Sequence, residues 1–177
     1  MIELVPLKCV RCETPIPASL DEIAWVCERC GQGMILLDER GLTPLTVNYA
    51  AGIQPGLKGS PYWVAGGNLQ LNRQTYASFS KKDNESAEFW SQPRRFFVPA
   101  FACELETTIH LGAGLLRNPP RLTPGQPVPF APVTVAPTDM MPLAEFIVMA
   151  MEAERKDSIK EIQFSLQLSS PELWVLP

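Results

Sequence analysis

The first thirty residues hold four cysteines in two Cys-x-x-Cys pairs, Cys9 with Cys12 and Cys27 with Cys30. Nothing else in the chain limits its folding as tightly. A Cys-x-x-Cys turn curls the backbone so that both sulfurs face one point, and its amides can hydrogen-bond to them. Two such turns brought together by a hairpin enclose a cage of four thiolates, which suits the tetrahedral preference of zinc. Glu13 to Val26, 14 residues, separate the pairs, close to the roughly 15–20 residues of the usual two-pair zinc pattern. Cys9, Cys12, Cys27 and Cys30 are therefore the expected ligands of a Zn2+ ion. Four thiolates leave no position open for water, so its expected role is structural. A site of this kind contributes roughly 10–16 kcal/mol of apparent free energy, which a module of about 40 residues needs. Gly31 follows the second pair directly, where the chain needs a positive φ. Glu13 stands at the equivalent place after the first pair, where it can close the turn only at some strain.

Residues Leu7–Leu37 resemble a zinc ribbon. Two cysteine knuckles sit on short hairpins, with Trp25 and Val26 entering the second knuckle and Met34–Leu37 leaving it as a strand. The resemblance covers about a fifth of the chain and implies metal binding. It does not specify a task, since ribbons serve in transcription factors, ribosomal proteins, polymerase subunits and as plain structural modules. Two other readings of the cysteines remain: iron in a rubredoxin-like site, although such proteins separate their knuckles more widely, and a redox dithiol. Nucleic-acid-binding ribbons usually carry basic residues and exposed aromatics. Here Lys8, Arg11, Arg29 and Arg40 face Glu3, Glu13, Asp21, Glu22, Glu28, Asp38 and Glu39, with Trp25 the lone aromatic. The formal charge of the whole chain is −4. Such an acidic balance disfavours a non-specific grip on nucleic acid.

Beyond the ribbon (residues 1–40) the sequence changes character. Residues 41–60 form a connection rich in Gly and Pro, with a short strand possible in LTPLTVNYA and a linker over Gly52–Ser60. Residues 61–177 read as an α+β domain with an antiparallel or mixed sheet. Tyr62, Trp63 and Val64 open a strand, with a bend at Gly66-Gly67 and alternation from Leu69 to Ala77; Lys81–Asn84 read as a polar turn. Phe89, Trp90, Phe96, Phe97 and Phe101 are the expected centre of the core, and Pro99 assigns its strand to a sheet edge. Cys103–Pro120 suits a helix with Leu105, Ile109, Gly112 or Ala113, and Leu116 on one face. Residues 121–137, rich in proline, read as an extended segment laid across a surface. A helix follows, capped by Thr138 or Asp139 with Pro142 in its first turn. Leu143, Phe146, Ile147, Ala150 and Met151 make its apolar stripe, and Glu145, Glu152, Glu154, Arg155 and Lys156 its polar side. Ile159–Leu168 alternates with period two, Ile162, Phe164, Leu166 and Leu168 against Glu161, Gln163, Ser165 and Gln167. Leu173–Leu176 either pairs into the sheet or inserts into a neighbour.

No catalytic set emerges from the residues. His110 is the only histidine. It lies seven residues from Cys103, about 10 Å along a helix, too far for proton transfer; Cys103 reads as a buried, inert thiol. The serines lack a nucleophile-elbow setting, and no phosphate-binding glycine loop appears. The start of the chain does not read as a signal peptide, and Leu143–Met151 is too short to span a membrane. A soluble cytoplasmic protein is expected. Charged residues make up 19% of the chain, below the usual quarter. A surface with few charges and proline-rich apolar segments suits contacts with other protein subunits. The expected function is a non-enzymatic zinc-binding subunit or adaptor of a larger assembly. A zinc-ribbon factor that binds nucleic acid or acts in transcription is the alternative, and an enzyme with a groove near Phe89–Phe101 is a third reading.

Overall fold

The computed structural model describes residues 7–75, 81–155 and 159–177. It is an α+β fold with two sheets. The first sheet is an antiparallel meander of β1 (Ala24–Val26), β2 (Gly33–Leu37) and β3 (Gly41–Pro44). Trp25 lies opposite Met34, and Ile35 opposite Thr43. Gly41 takes a φ of 66° at the turn into β3, a conformation that costs glycine little.

The second sheet is built on one long strand. β5 (Ser60–Thr75) has 16 residues, about 50 Å, enough to hold two partners end to end along one edge. Ser60–Val64 pairs there with β8 (Glu172–Leu176), and Gly67–Thr75 with β7 (Ile159–Leu168), both antiparallel. On its other edge β5 pairs with β6 (Arg94–Pro99). β7 and β8 thus form one line broken at residues 169–171. Ser169 staples the break to Gly66: its amide donates to the Gly66 carbonyl (2.8 Å), and its hydroxyl accepts from the Gly66 amide (3.0 Å). β4 (Val47–Tyr49) runs parallel to β8 on its outer side, which makes the sheet mixed. Pro99 ends β6 on the outer strand, where a missing N–H is harmless. The C-terminal Leu173–Leu176 pairs into the sheet as expected.

The period of two sends Trp63, Ala65 and Leu69 to one face of β5, into the larger core with Phe96, Val98 and Leu166. Tyr62 and Val64 point the other way, to a smaller core with Phe97 and Leu176. The aromatic run therefore serves both faces of the sheet. Phe164, Leu166 and Leu168 share the larger core, as their alternation predicts, while Ile162 on the same row is half-buried. Tyr76, Ala77 and Lys156 lie outside the described residues.

Among the described residues three helices accompany the sheet: α1 (Lys81–Trp90), α2 (Leu105–Arg117) and α3 (Met140–Ala153), the last preceded by one 3-10 turn over Pro137–Asp139. α1 overturns the polar turn expected at Lys81–Asn84. Weak helix formers such as Asp83 and Asn84 hid it, and tertiary burial of Ser86 and Trp90 holds it. In α2 the buried residues are Thr108, Gly112, Ala113 and Leu116, while Leu105 is exposed. Gly112 decides that orientation, since a Cβ there would lie 2.3 Å from Ile147 Cδ1 and 3.0 Å from the Phe97 carbonyl. In α3 the buried set is Met140, Ala144, Ile147, Val148, Met151 and Glu152, so Phe146 turns outward and Glu152 inward, opposite to expectation. Asp139 reaches the Ala136 amide (3.3 Å) and makes no side-chain cap to α3.

The inward turn of α3 follows from a buried polar cluster. Glu152, fully buried, accepts from Ser86 Oγ (2.8 Å), Trp90 Nε1 (2.8 Å) and Arg155 Nε (3.0 Å), and pairs with Arg73 Nε on β5 (3.3 Å). The proline-rich segment is extended and lies on the chain's own surface. Its Gly125 amide donates to Tyr49 O (2.7 Å), Ala131 to Gly59 O (3.0 Å) and Thr134 to Ala100 O (2.8 Å). Its Val133 carbonyl accepts from Ile23 (2.8 Å), and its Val135 carbonyl from Trp63 Nε1 (2.7 Å). This strap ties the cysteine module to the large sheet. Val133 is fully buried in one core with Ala24 and Ile35 of the first sheet.

Candidate metal centre

Each cysteine pair lies in a turn of the same design. Cys9 N donates to Thr14 O (2.9 Å) and Glu13 N to Cys9 O (2.9 Å). Cys27 N donates to Gln32 O (2.9 Å) and Gly31 N to Cys27 O (2.8 Å). The fourth residue after the leading cysteine must then turn left-handed, and it does in both, with φ of 58° at Glu13 and 72° at Gly31. Glycine adopts this freely, whereas Glu13, the one non-glycine residue with positive φ among those described, pays for its Cβ. The Arg11 amide points at Cys9 Sγ (3.4 Å).

The two turns bring all four sulfurs within 4.8 Å of one another. Cys9 and Cys30 are 3.6 Å apart, as are Cys12 and Cys27. A tetrahedron with metal–sulfur bonds of about 2.3 Å has edges of about 3.8 Å, close to these two distances, so the cluster could hold a metal ion. A disulfide needs about 2.05 Å, and all five cysteines are free thiols. Trp25, Met34, Leu7, Ile16 and Leu42 wrap the cluster, with Cys9 and Cys27 buried.

The electrostatics of the thiols point the same way. The Thr14 hydroxyl, 3.2 Å from Cys12 Sγ, together with the Thr14 amide, pulls the Cys12 thiol down to about 6. Burial opposes ionisation at Cys9, yet the amides of Arg11 and Cys12 lower it. At Cys30 the Gln32 amide pulls down, but burial and the neighbouring sulfurs of Cys12 and Cys9 push it up to about 12. Four negative sulfurs cannot share this space without a cation, so two are driven apart in proton affinity. A thiophilic divalent metal resolves the conflict, because every ligand can then be a thiolate.

The other candidates are not brought into a site. His110 is exposed on α2. Cys103 is exposed too, correcting the expectation of a buried thiol, and its sulfur lies 3.1 Å from the Thr108 hydroxyl at the start of α2. Arg94 is occupied locally: its guanidinium donates twice to Phe89 O (2.9 and 2.8 Å) and stacks 4.0 Å above the Phe89 ring. Beside the metal centre a cleft of 690 Å³ opens between the ribbon and the strap, walled by Trp25, Tyr49, Lys58 and Phe130. Glu152 is the buried polar residue that sequence reasoning missed. The available signal was a carboxylate one turn after Val148 on a helix whose one other charged residue is Glu145. No helix among the described residues is long and apolar enough to cross a membrane. Compared with family models, curated proteins and solved structures, the chain matches none of them.

Proposed function

We propose that this protein is a non-enzymatic subunit or adaptor of a larger assembly, with a structural zinc ion held by Cys9, Cys12, Cys27 and Cys30. The observation that carries this reading is the closed four-sulfur cage. All four donors belong to the protein, so the ion stabilises the ribbon and offers no position for substrate or water. The outer face of α3 supports the partner half. Pro142, Phe146, Met149 and Ala153 recur at helical spacing, all exposed and all apolar. An apolar stripe on a chain poor in charge suits burial against another subunit. The proline-rich segment no longer argues for a partner, because its buried residues are spent on the chain's own core.

The test is native mass spectrometry of tagged protein isolated gently from its own source, beside a Phe146→Asp, Met149→Asp variant. One zinc per chain, with another subunit that the variant loses, supports the reading. A zinc-loaded protein that binds the same things with or without the apolar stripe, or nothing at all, sinks it.

A further inference from the structure

Among the described residues the large sheet is bounded by β4, β6, β7 and, beyond the end of β6, by Asn68–Thr75 of β5, and the three outer strands are not treated alike. β4 is three residues long, and the strap donates from Gly125 to its Tyr49 carbonyl. β6 carries Arg94 and Arg95 at one end and Pro99 at the other. Short length, charge, proline and a covering segment are the usual means of blunting an edge against further strands. β7 has a charged end, as β6 does, but among the described residues it has neither proline nor a segment paired to its outer side. It runs for ten residues without proline, its only charges are Lys160 and Glu161 at one end, and among the described residues it pairs with β5 alone. β4 occupies the place beside β8, but among the described residues no strand occupies the same line beside β7.

The direction of the open groups follows from the staple. Ser169 and Gly66 face each other as a hydrogen-bonded pair, and the antiparallel register continues unbroken to Gln74 opposite Glu161. Backbone groups alternate in direction. Those of Gln163, Ser165 and Gln167 therefore point at β5, and those of Ile162, Phe164, Leu166 and Leu168 point out of the sheet. The same four residues form the apolar row, and Ile162, Phe164 and Leu168 are only partly covered.

The geometry points to a second copy of this chain as the occupant, joined by an antiparallel β7–β7 pair about a two-fold axis at Ser165. That register is the one that matches the apolar row completely, Ile162 with Leu168 and Phe164 with Leu166, on the core side. On the outer face it sets Gln163 against Gln167 and Ser165 against itself. Lys160 and Glu161 fall opposite Ser170 and Ser169, so no like charges meet. The interface is isologous and closed, and it uses a different surface from the α3 stripe.

Light scattering and native mass spectrometry of purified, zinc-loaded protein test this. The expected mass is twice the chain's 19.6 kDa. Ser165 is exposed and sits at a non-hydrogen-bonded position of the new pair, where Cα atoms approach to about 4.5 Å. Ser165→Lys and Ser165→Glu should each give a folded monomer, and mixing the two should restore a one-to-one dimer. Ser165→Cys in a Cys103→Ser background should cross-link as a symmetric disulfide on mild oxidation. A wild-type monomer at every concentration reached, or a dimer that survives Ser165→Lys, would overturn the proposal.

Discussion

Replacing Glu152 by glutamine changes one atom in a cluster where every neighbour is a donor. Oε1 accepts from Trp90 Nε1 at 2.8 Å and Arg155 Nε at 3.0 Å. Oε2 accepts from Ser86 Oγ at 2.8 Å and lies 3.3 Å from Arg73 Nε. An amide nitrogen on either side faces one arginine and one neutral donor, and both lose their acceptor. A hydrogen bond to a charged group contributes about 1.5–3 kcal/mol and a neutral one about 0.5–1.5 kcal/mol. The sum, about 2–4 kcal/mol, follows from geometry with no change in side-chain volume. For a chain of this size each kcal/mol shifts Tm by roughly 2–4 °C, so the expected fall is roughly 4–16 °C. Urea unfolding followed by tryptophan fluorescence, beside a thermal melt by circular dichroism, reads it. Ser86→Ala supplies the internal control, costing about 1 kcal/mol alone and adding less than that to the glutamine variant, because the two act on one network. A glutamine variant within about 1 kcal/mol of wild type would refute the view that this carboxylate organises α1, α3 and β5.

Other perturbations read the metal centre and the helix packing. Cys27→Ser should leave the protein without stoichiometric zinc by elemental analysis; full zinc retention would contradict the four-sulfur cage. Gly31→Ala isolates the backbone term, since a Cβ there meets nothing within 4 Å. The left-handed φ costs about 1–2 kcal/mol, so chelator competition should show zinc affinity reduced roughly 5–30-fold, and an unchanged affinity would count against the shared turn design. Gly112→Ala should destabilise by about 1–3 kcal/mol through Ile147 and the Phe97 carbonyl, and a neutral result in urea would mean that α2 can shift away from β6. In the metal-free protein the Cys12 thiol sits at about 6, below its ordinary value of 9.0. Its ionisation therefore favours the folded turn fully above pH 9, and that contribution is lost as pH falls through 6. Alkylation of metal-free protein should give a Cys12 midpoint near pH 6, moved upward by Thr14→Val, and a midpoint near the ordinary thiol value would exclude the Thr14 contact.

Much of the candidate site was legible because its chemistry is local. Each Cys-x-x-Cys turn is closed by hydrogen bonds spanning five residues, and the spacing of the thiols carries the metal preference with it. The strand Ile159–Leu168 and the outer position of Pro99 were legible for a similar reason: side-chain alternation and a missing N–H are properties of the residues themselves. α1 was hidden, since Lys81–Asn84 has polar-turn chemistry and the helix draws on burial of Trp90 against a residue more than sixty positions away. The rotation of α3 was hidden as well. Leu143 and Phe146 fit a stripe by periodicity, but periodicity cannot foresee that Arg73, Ser86 and Trp90 converge where Glu152 must turn in.

The sequence by itself determined the pairing of the four cysteines into two like turns, the α+β class and the turn geometry at Gly31, because short-range covalent spacing and backbone sterics suffice for each. Only the tertiary structure decided which helix faces are buried, that the proline-rich strap closes the chain's own core, and that among the described residues β7 pairs with β5 alone. Those outcomes depend on which distant segments meet, and meeting is settled by the best collective burial of apolar surface and buried donors, a property of the whole chain.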